Sequence, residues 1–463
     1  MAELVPFRGV RFNPARVDLR QVVAPPYDVI SPDALSELRR RHPKNIVHVD
    51  LPEGESGRDP AQKHVLGAVE FRDWLSEEVL VRDIVPSIYV YRQDYLVPQA
   101  LRSVEAEDSA ETRVLVGLIG AVCLEEFSSG VILPHEKTMR GPKEDRLLQM
   151  EASRSNMSCV FAFCSDDGGE MSRLLGAVQQ EEEPENDFSC EGGPRQRMWQ
   201  VSGTDKIRAL QEAMEGRRLF IADGHHRYET ALRFRDLERL RTPSFTGREG
   251  WNYVMMMVVA LEGNGLTVLP VHRVVMRAQA VSPVRGDATG SASPAQGASR
   301  YFDVTPVAGD TLAACLETLG KQAGKGHAFG MYADDGRFSI LTVREGSPAV
   351  EEVLSGVPRE WRDLDVALLH ALALDKVVLA GSPAGRVTDD RPEEVLSFTE
   401  DPLGAVRMVD SGEAVAAFFL NPTPLDQVKT VALAGKVMPH KSTFFYPKLL
   451  TGLVMRELDD ALG

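Results

Sequence analysis

The sequence predicts an α/β fold, with α+β as its near variant, and three observations lead there. Hydrophobic residues make up 43% of the chain and charged residues 26%, the balance of a protein that buries a core and wets a surface. Short apolar runs of strand character alternate with longer segments whose apolar residues recur at three- and four-residue steps. One apolar run, residues 219–222 (LFIA), stops at Asp223-Gly224 and passes into an amphipathic segment, a strand–turn–helix unit.

The elements follow in order. Residues 32–42 predict a helix opened by Pro32, a residue suited to a first helical turn. Residues 114–124 (VLVGLIGAVCL) and 160–164 read as buried strands, and 143–154 and 204–215 as helices. After the strand at 219–222 come a helix over 228–240 and a strand over 253–261. Residues 364–374 (LDVALLHALAL) are apolar nearly all round, which predicts a buried helix, and 415–420 (VAAFFL) predicts a further strand. Residues 165–169 (SDDGG) mark a turn, and the acidic residues 181–187 (EEEPEND) a solvated loop. Residues 281–300, rich in Ser, Ala, Gly and Pro, mark a flexible linker or insertion. A chain of 463 residues exceeds one ordinary core. The expected division is an N-terminal segment (1–110), a catalytic core (111–280), the linker (281–300) and a C-terminal domain (301–463).

Bulk properties exclude several functions. The net charge of −16 works against sequence-independent binding to a polyanion, so DNA is not an expected partner. The first residues, MAELVPFRGVRF, lack the apolar core of a signal peptide, and the most apolar run, 254–261, is too short to span a bilayer. Five cysteines (Cys123, Cys159, Cys164, Cys190 and Cys315) form no C-x-x-C pair, which favours reduced thiols over a disulfide framework. No membrane association is expected, and the expected compartment is the cytoplasm.

Three segments carry candidate chemistry. In Asp223-Gly224-His225-His226-Arg227, a glycine turn leads into a helix whose first N–H groups and positive dipole end suit an anion. His225, His226 and Arg227 add donors there, and the planar fork of Arg227 matches a phosphate. Adjacent helical residues point about 100° apart, so the two histidines make a poor chelating pair. Asp223 is the residue suited to a Mg²⁺ that rides on a nucleotide. The second segment, LPHEKTMRGPKEDR (133–146), sets Glu136 among His135, Lys137, Arg140, Lys143 and Arg146, a setting for a general base or for a solvated charged loop. In the third, residues 435–448, Lys441 followed by Ser442-Thr443 offers a cation and two hydroxyls but lacks the glycine spacing of a P-loop. Near the N-terminus, Pro25-Pro26-Tyr27-Asp28 forms a rigid turn that admits a cis X-Pro bond. Its Asp28 faces the cleft or, as the simpler expectation, caps the helix at Pro32.

In that order the segments resemble a bacterial ParB-like family that shares P-F-x-G-x-R (Pro6–Arg11), A-P-P-Y-D-V-I (24–30), L-P-H-E-K-T and A-D-G-H-H-R-Y-E-T-A, within the ParB/sulfiredoxin-like superfamily. That family is similar to the archaeal ADP-dependent free L-serine kinases, which carry P-H-E, D-G-H-H-R and P-K-T-T-type segments in the same order. The resemblance implies a ParB/sulfiredoxin-like catalytic core that transfers a phosphoryl group between a nucleotide (ADP/AMP or ATP) with Mg²⁺ and a small hydroxy amino acid, free L-serine or O-phosphoserine. It implies Glu136 as base, with Asp223 and His225 catalytic beside it. Gly224, His226 and Arg227 would hold the donor's phosphates, and Lys441, Ser442 and Thr443 would close from the second domain. His135, Lys137, Tyr228 and Asp28 would line the substrate cleft, with Tyr228 where the kinase has tryptophan. The alternatives are a phosphoserine phosphatase-type activity and a ParB-like nucleotide-dependent DNA-binding protein. A DNA binder requires a basic helix-turn-helix after Arg227, whereas residues 251–275 read as strands. The residue pattern implies no particular oligomeric state.

Overall fold

The computed structural model describes residues 2–54, 59–98, 111–277, 285–286, 290–291, 298–378, 395–460 and 462. Strands and helices are mixed in an α/β fold built on two large sheets.

The larger sheet has nine strands. From one edge they run Ile132–Leu133, Leu219–Asp223, Val160–Cys164, Tyr253–Ala260, Thr112–Cys123, Ile88–Leu96, Arg195–Val201 and Asn186–Ser189, and Leu4–Val5 also pairs with Thr112–Cys123. Side chains alternate between the two faces because a strand repeats every two residues. Leu118, Val160, Met256 and Val258 meet helices Arg140–Ser153, Glu170–Glu181, Thr204–Met214 and His225–Arg241. Ile119, Phe161, Phe163, Met255 and Met257 meet a C-terminal stretch that carries Val428, Phe445 and Leu453. Both faces are covered, which is why the central strands read as continuous apolar runs.

The chain directions at the sheet edge locate the candidate site. Leu219–Asp223 runs parallel to Ile132–Leu133 and antiparallel to Val160–Cys164. The segments that begin at Pro134 and at Gly224 therefore leave the sheet at the same end. A register shift between Ile221 and Asp223 bends the strand just before it stops, a common way to re-aim a side chain.

The second sheet is antiparallel, in the order Phe302–Pro306, Phe338–Val343, Ala328–Ala333, Ala414–Phe419, His272–Met276 and Leu396–Thr399. His272–Met276 belongs to it although it precedes residues 281–300, most of which lie outside the described residues. The chain then returns: Phe444–Tyr446 pairs with Thr267–Leu269, and Arg456–Glu457 with Ser155–Asn156. This return carries residues 438–448 to the end of the first sheet.

Several local expectations are corrected. The apolar segment at 364–374 winds as a short α-helix, Asp365–Leu368, that continues as the π-helix Leu369–Val378, with Leu368, Leu369, Leu372 and Leu374 buried. The acidic stretch is not simply a loop. Glu181 closes helix Glu170–Glu181, and Asn186 and Asp187 open the edge strand. Glu182 pairs with Lys206 and Glu185 with Arg11, so local partners absorb part of its charge. Ser31, not Asp28, caps helix Pro32–Arg41, its hydroxyl accepting from the Ala34 N–H at 3.3 Å. Among the described residues the cis X-Pro bond is Tyr446-Pro447, and none lies at Pro25 or Pro26. All five cysteines are free thiols, and no described helix is long and apolar enough to cross a membrane.

Candidate functional site

Gly224 makes the turn possible. Its φ of +88° is a left-handed conformation that a side chain resists, and a Cβ there would stand 2.9 Å from Arg227 Nε. Arg227 folds back beneath this turn. Its Nη2 donates to Asp223 Oδ2 at 2.6 Å, and its Nη1 to Ser158 Oγ at 3.2 Å and to the Cys159 carbonyl. The guanidinium is buried, so it braces the turn. The helix that starts at His225 has no acidic residue in its first turn.

The histidines are fixed by backbone partners. His135 Nδ1 lies 2.7 Å from the Ile221 carbonyl, which can only accept, so Nδ1 carries the proton. Its Nε2 then accepts from the Thr443 hydroxyl at 2.9 Å. His225 Nε2 accepts from the His135 N–H at 3.3 Å, which leaves Nδ1 to face Glu136 Oε2 at 4.0 Å. His226 Nε2 accepts from the Met139 N–H at 2.9 Å, tying the start of helix His225–Arg241 to the start of Arg140–Ser153. Burial lowers the proton affinity of all three rings, and for His225 it pushes the pKa down to about 3, with neighbouring His135 adding to the effect.

Glu136 joins this cluster to the C-terminal loop. A β-bridge pairs Glu136 with Met438, and the Met438 N–H donates to the His135 carbonyl at 2.7 Å. Glu136 Oε1 accepts from the Lys441 backbone N–H at 3.2 Å and lies 3.3 Å from His440 Nδ1. Lys441 reaches this position with a φ of +55°. Burial would raise the Glu136 pKa, but the hydrogen bond from His440 and the nearby charge of Lys441 outweigh it and hold the carboxyl well below the usual carboxylate range.

Behind the loop lies Arg273, on strand His272–Met276 and fully buried. It donates to the His440 carbonyl at 3.1 Å, to His370 Nε2 at 3.3 Å and to the Val271 carbonyl, and it stacks over Phe398 at 5.2 Å. Among the described residues no carboxylate lies within ion-pair distance of it. Burial pushes its pKa down to about 9, opposed only by the more distant Glu136.

Asp223 is held by two cations, with Lys448 Nζ on Oδ1 and Arg227 on Oδ2. Burial would raise its pKa, yet Lys448 and Arg227 together hold it well below the usual range. A Mg²⁺ anchored on Asp223 does not fit this arrangement, because both oxygens already face positive groups. Among the described residues no group of three His, Cys, Asp or Glu side chains is placed to hold a metal.

The structure thus brings together His135, Glu136, Asp223, Gly224, His225, His226, Lys441 and Thr443. The other predicted residues stand differently. Tyr228 is fully buried on the core side of its helix, where its hydroxyl donates to the Glu125 carbonyl at 2.8 Å and accepts from the Glu125 N–H at 3.0 Å. Ser442 Oγ is spent within its own loop on the Pro439 carbonyl. Lys137 is exposed. Asp28 is exposed in the turn Tyr27–Val29, where its charge acts on His226 and Arg227, while Tyr27 stacks on Arg146 at 4.4 Å. Arg146 pairs with buried Asp50 at 3.0 Å and Lys143 with Glu229 at 2.7 Å, so these two charges of the second segment bind helices together. Lys448, His440 and Arg273 are the residues here to which the sequence assigned no role.

The family model described as "Protein of unknown function (DUF1015)" matches residues 4–367. The chain belongs to this family. Lys441 and Lys448 lie beyond the matched residues. Among solved structures, the chain is similar to a conserved hypothetical protein from Pyrococcus furiosus, at 14% identity and a TM-score of 0.31, over 71% of this chain and 90% of that one. It is also similar to a free serine kinase in complex with AMP, at 11% identity and a TM-score of 0.32, over 75% of this chain and 90% of that one. A variant of a free serine kinase in complex with ADP gives 10% identity and a TM-score of 0.33 over the same shares. No curated protein matches the sequence.

Proposed function

We propose that this cleft is a phosphotransferase site, moving a phosphoryl group between a nucleotide and the hydroxyl of a small hydroxy amino acid, free L-serine in one direction and O-phosphoserine in the other. One observation carries the reading. Three segments far apart in sequence meet at the carboxyl end of two parallel neighbouring strands: His135-Glu136, Asp223 to His226, and the loop holding Lys441 and Thr443. Ligands of α/β sheets bind at such ends. The order of these segments resembles that of the archaeal free L-serine kinases, which supports the choice of acceptor.

The nucleotide's phosphates bind at the start of helix His225–Arg241, where backbone N–H groups and the helix dipole favour an anion. Glu136, held ionised, accepts the hydrogen bond of the acceptor hydroxyl and aims its oxygen at phosphorus. As the new P–O bond forms, the bond to the donor's bridging oxygen breaks, and the hydroxyl proton passes to Glu136. Its depressed proton affinity makes Glu136 a weak base. That suits a loose phosphoryl-transfer transition state, in which positioning and charge neutralisation count for more than early deprotonation. Consumption of phosphoserine uses the same groups in reverse.

The test is to incubate the protein with Mg²⁺, serine or phosphoserine, and AMP, ADP or ATP, and to follow phosphorus by NMR. Appearance of O-phosphoserine, or its loss with nucleotide formation, is expected. No turnover of any combination would overturn the reading, and full rate in Glu136→Ala would remove Glu136 from it.

A further inference from the structure

Asp223 stands where the proposed reaction needs positive charge, and each of its oxygens already faces a cation. The two cations are held differently. Arg227 is fixed beneath Gly224 by Ser158 and the Cys159 carbonyl as well as by Asp223. Lys448 is held through its backbone carbonyl and by two contacts of its ammonium. Its carbonyl accepts from Gln93 Nε2 at 3.1 Å, and its ammonium rests 4.2 Å from the centre of the Phe444 ring. The side chains of Lys448 and Asp223 keep 15% and 16% of their surface open to solvent, so the pair is not sealed in the core. An ammonium carries three donors, and the carboxylate does not exhaust them. A divalent cation placed on Asp223 would meet the unscreened charges of Lys448 and Arg227 at close range, a strong repulsion at low effective dielectric.

We infer that Lys448 is a phosphate-binding residue of the cleft, whose tethered ammonium, aimed by Asp223, supplies the point charge that a carboxylate-anchored divalent cation would otherwise supply. This rests on the phosphotransfer reading and assigns its phosphate-binding group. The ligand class is the terminal phosphate or diphosphate of a nucleotide. Asp223 is then a positioning residue, and its negative charge is a cost to anion binding rather than a metal anchor.

The experiment is calorimetric titration of the full-length protein with inorganic pyrophosphate and with AMP, in EDTA and in Mg²⁺. Wild type is expected to bind in EDTA within about threefold of its affinity in Mg²⁺. Lys448→Gln should weaken binding in EDTA at least about tenfold, the loss of one charge-assisted hydrogen bond, and Lys448→Arg should restore most of it. Asp223→Asn keeps an oxygen to aim the ammonium and removes the opposing charge, so binding should tighten in EDTA. Binding of wild type only in Mg²⁺ would overturn the inference while leaving the cleft reading intact. So would collapse of binding in Asp223→Asn together with indifference to Lys448→Gln. Absence of phosphate binding under every condition would remove both readings.

Discussion

Replacing Arg273 by methionine separates the stability of the second sheet from the order of the candidate site. Burial pushes the guanidinium's pKa from its ordinary value down to about 9. At about 1.4 kcal/mol per unit, the folded protein carries a cost on the order of 5 kcal/mol for keeping that charge. Against it stand three hydrogen bonds from a charged donor, to the His440 carbonyl, His370 Nε2 and the Val271 carbonyl, at about 1.5 kcal/mol each. The Phe398 ring adds about 1 kcal/mol. The terms nearly cancel, as they do for many buried charges replaced by apolar groups of similar volume. Arg273→Met is therefore expected to stay within about 2 kcal/mol of wild type in urea unfolding. The His440 carbonyl loses its anchor, however, and with it goes the restraint that keeps His440 Nδ1 and the Lys441 N–H on Glu136. Turnover in the phosphorus assay should fall at least about tenfold. A loss above about 4 kcal/mol would make Arg273 a structural prop, and unchanged stability with unchanged turnover would refute its hold on the loop.

Three further outcomes are expected. His225, His272 and His370 are held neutral with pKa values pushed to about 3, chiefly by burial, whereas the unfolded chain protonates them near 6.5. The unfolded state binds the extra protons, so stability is complete above about pH 6.5 and falls below it, by about 2 kcal/mol per ring at pH 5; urea midpoints at pH 7.5 and 5.0 should differ accordingly, and by less in His370→Gln. Gly224→Ala, with its Cβ against Arg227 Nε and a φ of +88°, should cost about 1–3 kcal/mol and weaken pyrophosphate binding more than Ala substitution at Gly247, which shares a positive φ but has open space around its Cβ position. Tyr228→Phe loses two hydrogen bonds to Glu125 and should lower stability by about 1–2 kcal/mol while turnover is retained; lost turnover at full stability would place the hydroxyl in the cleft after all.

The strand–turn–helix unit was legible because its information is contiguous: an apolar strand, a glycine that permits a left-handed turn, then a helical period. Which side chains of that unit face the cleft was also partly written there. Tyr228, Ala231 and Leu232 fall at i, i+3 and i+4, an apolar stripe that assigns Tyr228 to the core, and the structure buries all three. Arg227 was harder to place, because its recruitment by Asp223 and the Cys159 carbonyl depends on a strand that lies elsewhere in the sequence.

Lys448 and Arg273 left a different signal, which a reading by motif passes over. Each is the lone cation of an apolar run, FFYPKLLTGLVM in one case and VLPVHRVVM in the other. A charge that cannot leave such a run must be paired or hydrogen-bonded, so each announces an unseen partner. The sequence does not name the partner, because Asp223 precedes Lys448 by 225 residues and the His440 carbonyl follows Arg273 by 167.

That remoteness explains why the site sits between the sheets. Ile132–Leu133 and Leu219–Asp223 end together and present Glu136 and Asp223, but neither carboxylate is complete on its own sheet. Glu136 receives His440 and the Lys441 N–H from a loop that Arg273 of the second sheet holds, and Asp223 receives Lys448 from the returning chain. Burying either carboxylate without those partners would cost several kcal/mol. The C-terminal return therefore does two things with one segment: it covers the second face of the large sheet through Phe445 and Leu453, and it makes two half-buried carboxylates affordable at the sheet's end. A variant that loosened only the 438–448 segment would expose both effects at once, whereas Arg273→Met, which reaches this segment only through the His440 carbonyl, should touch the chemistry and leave the covering intact.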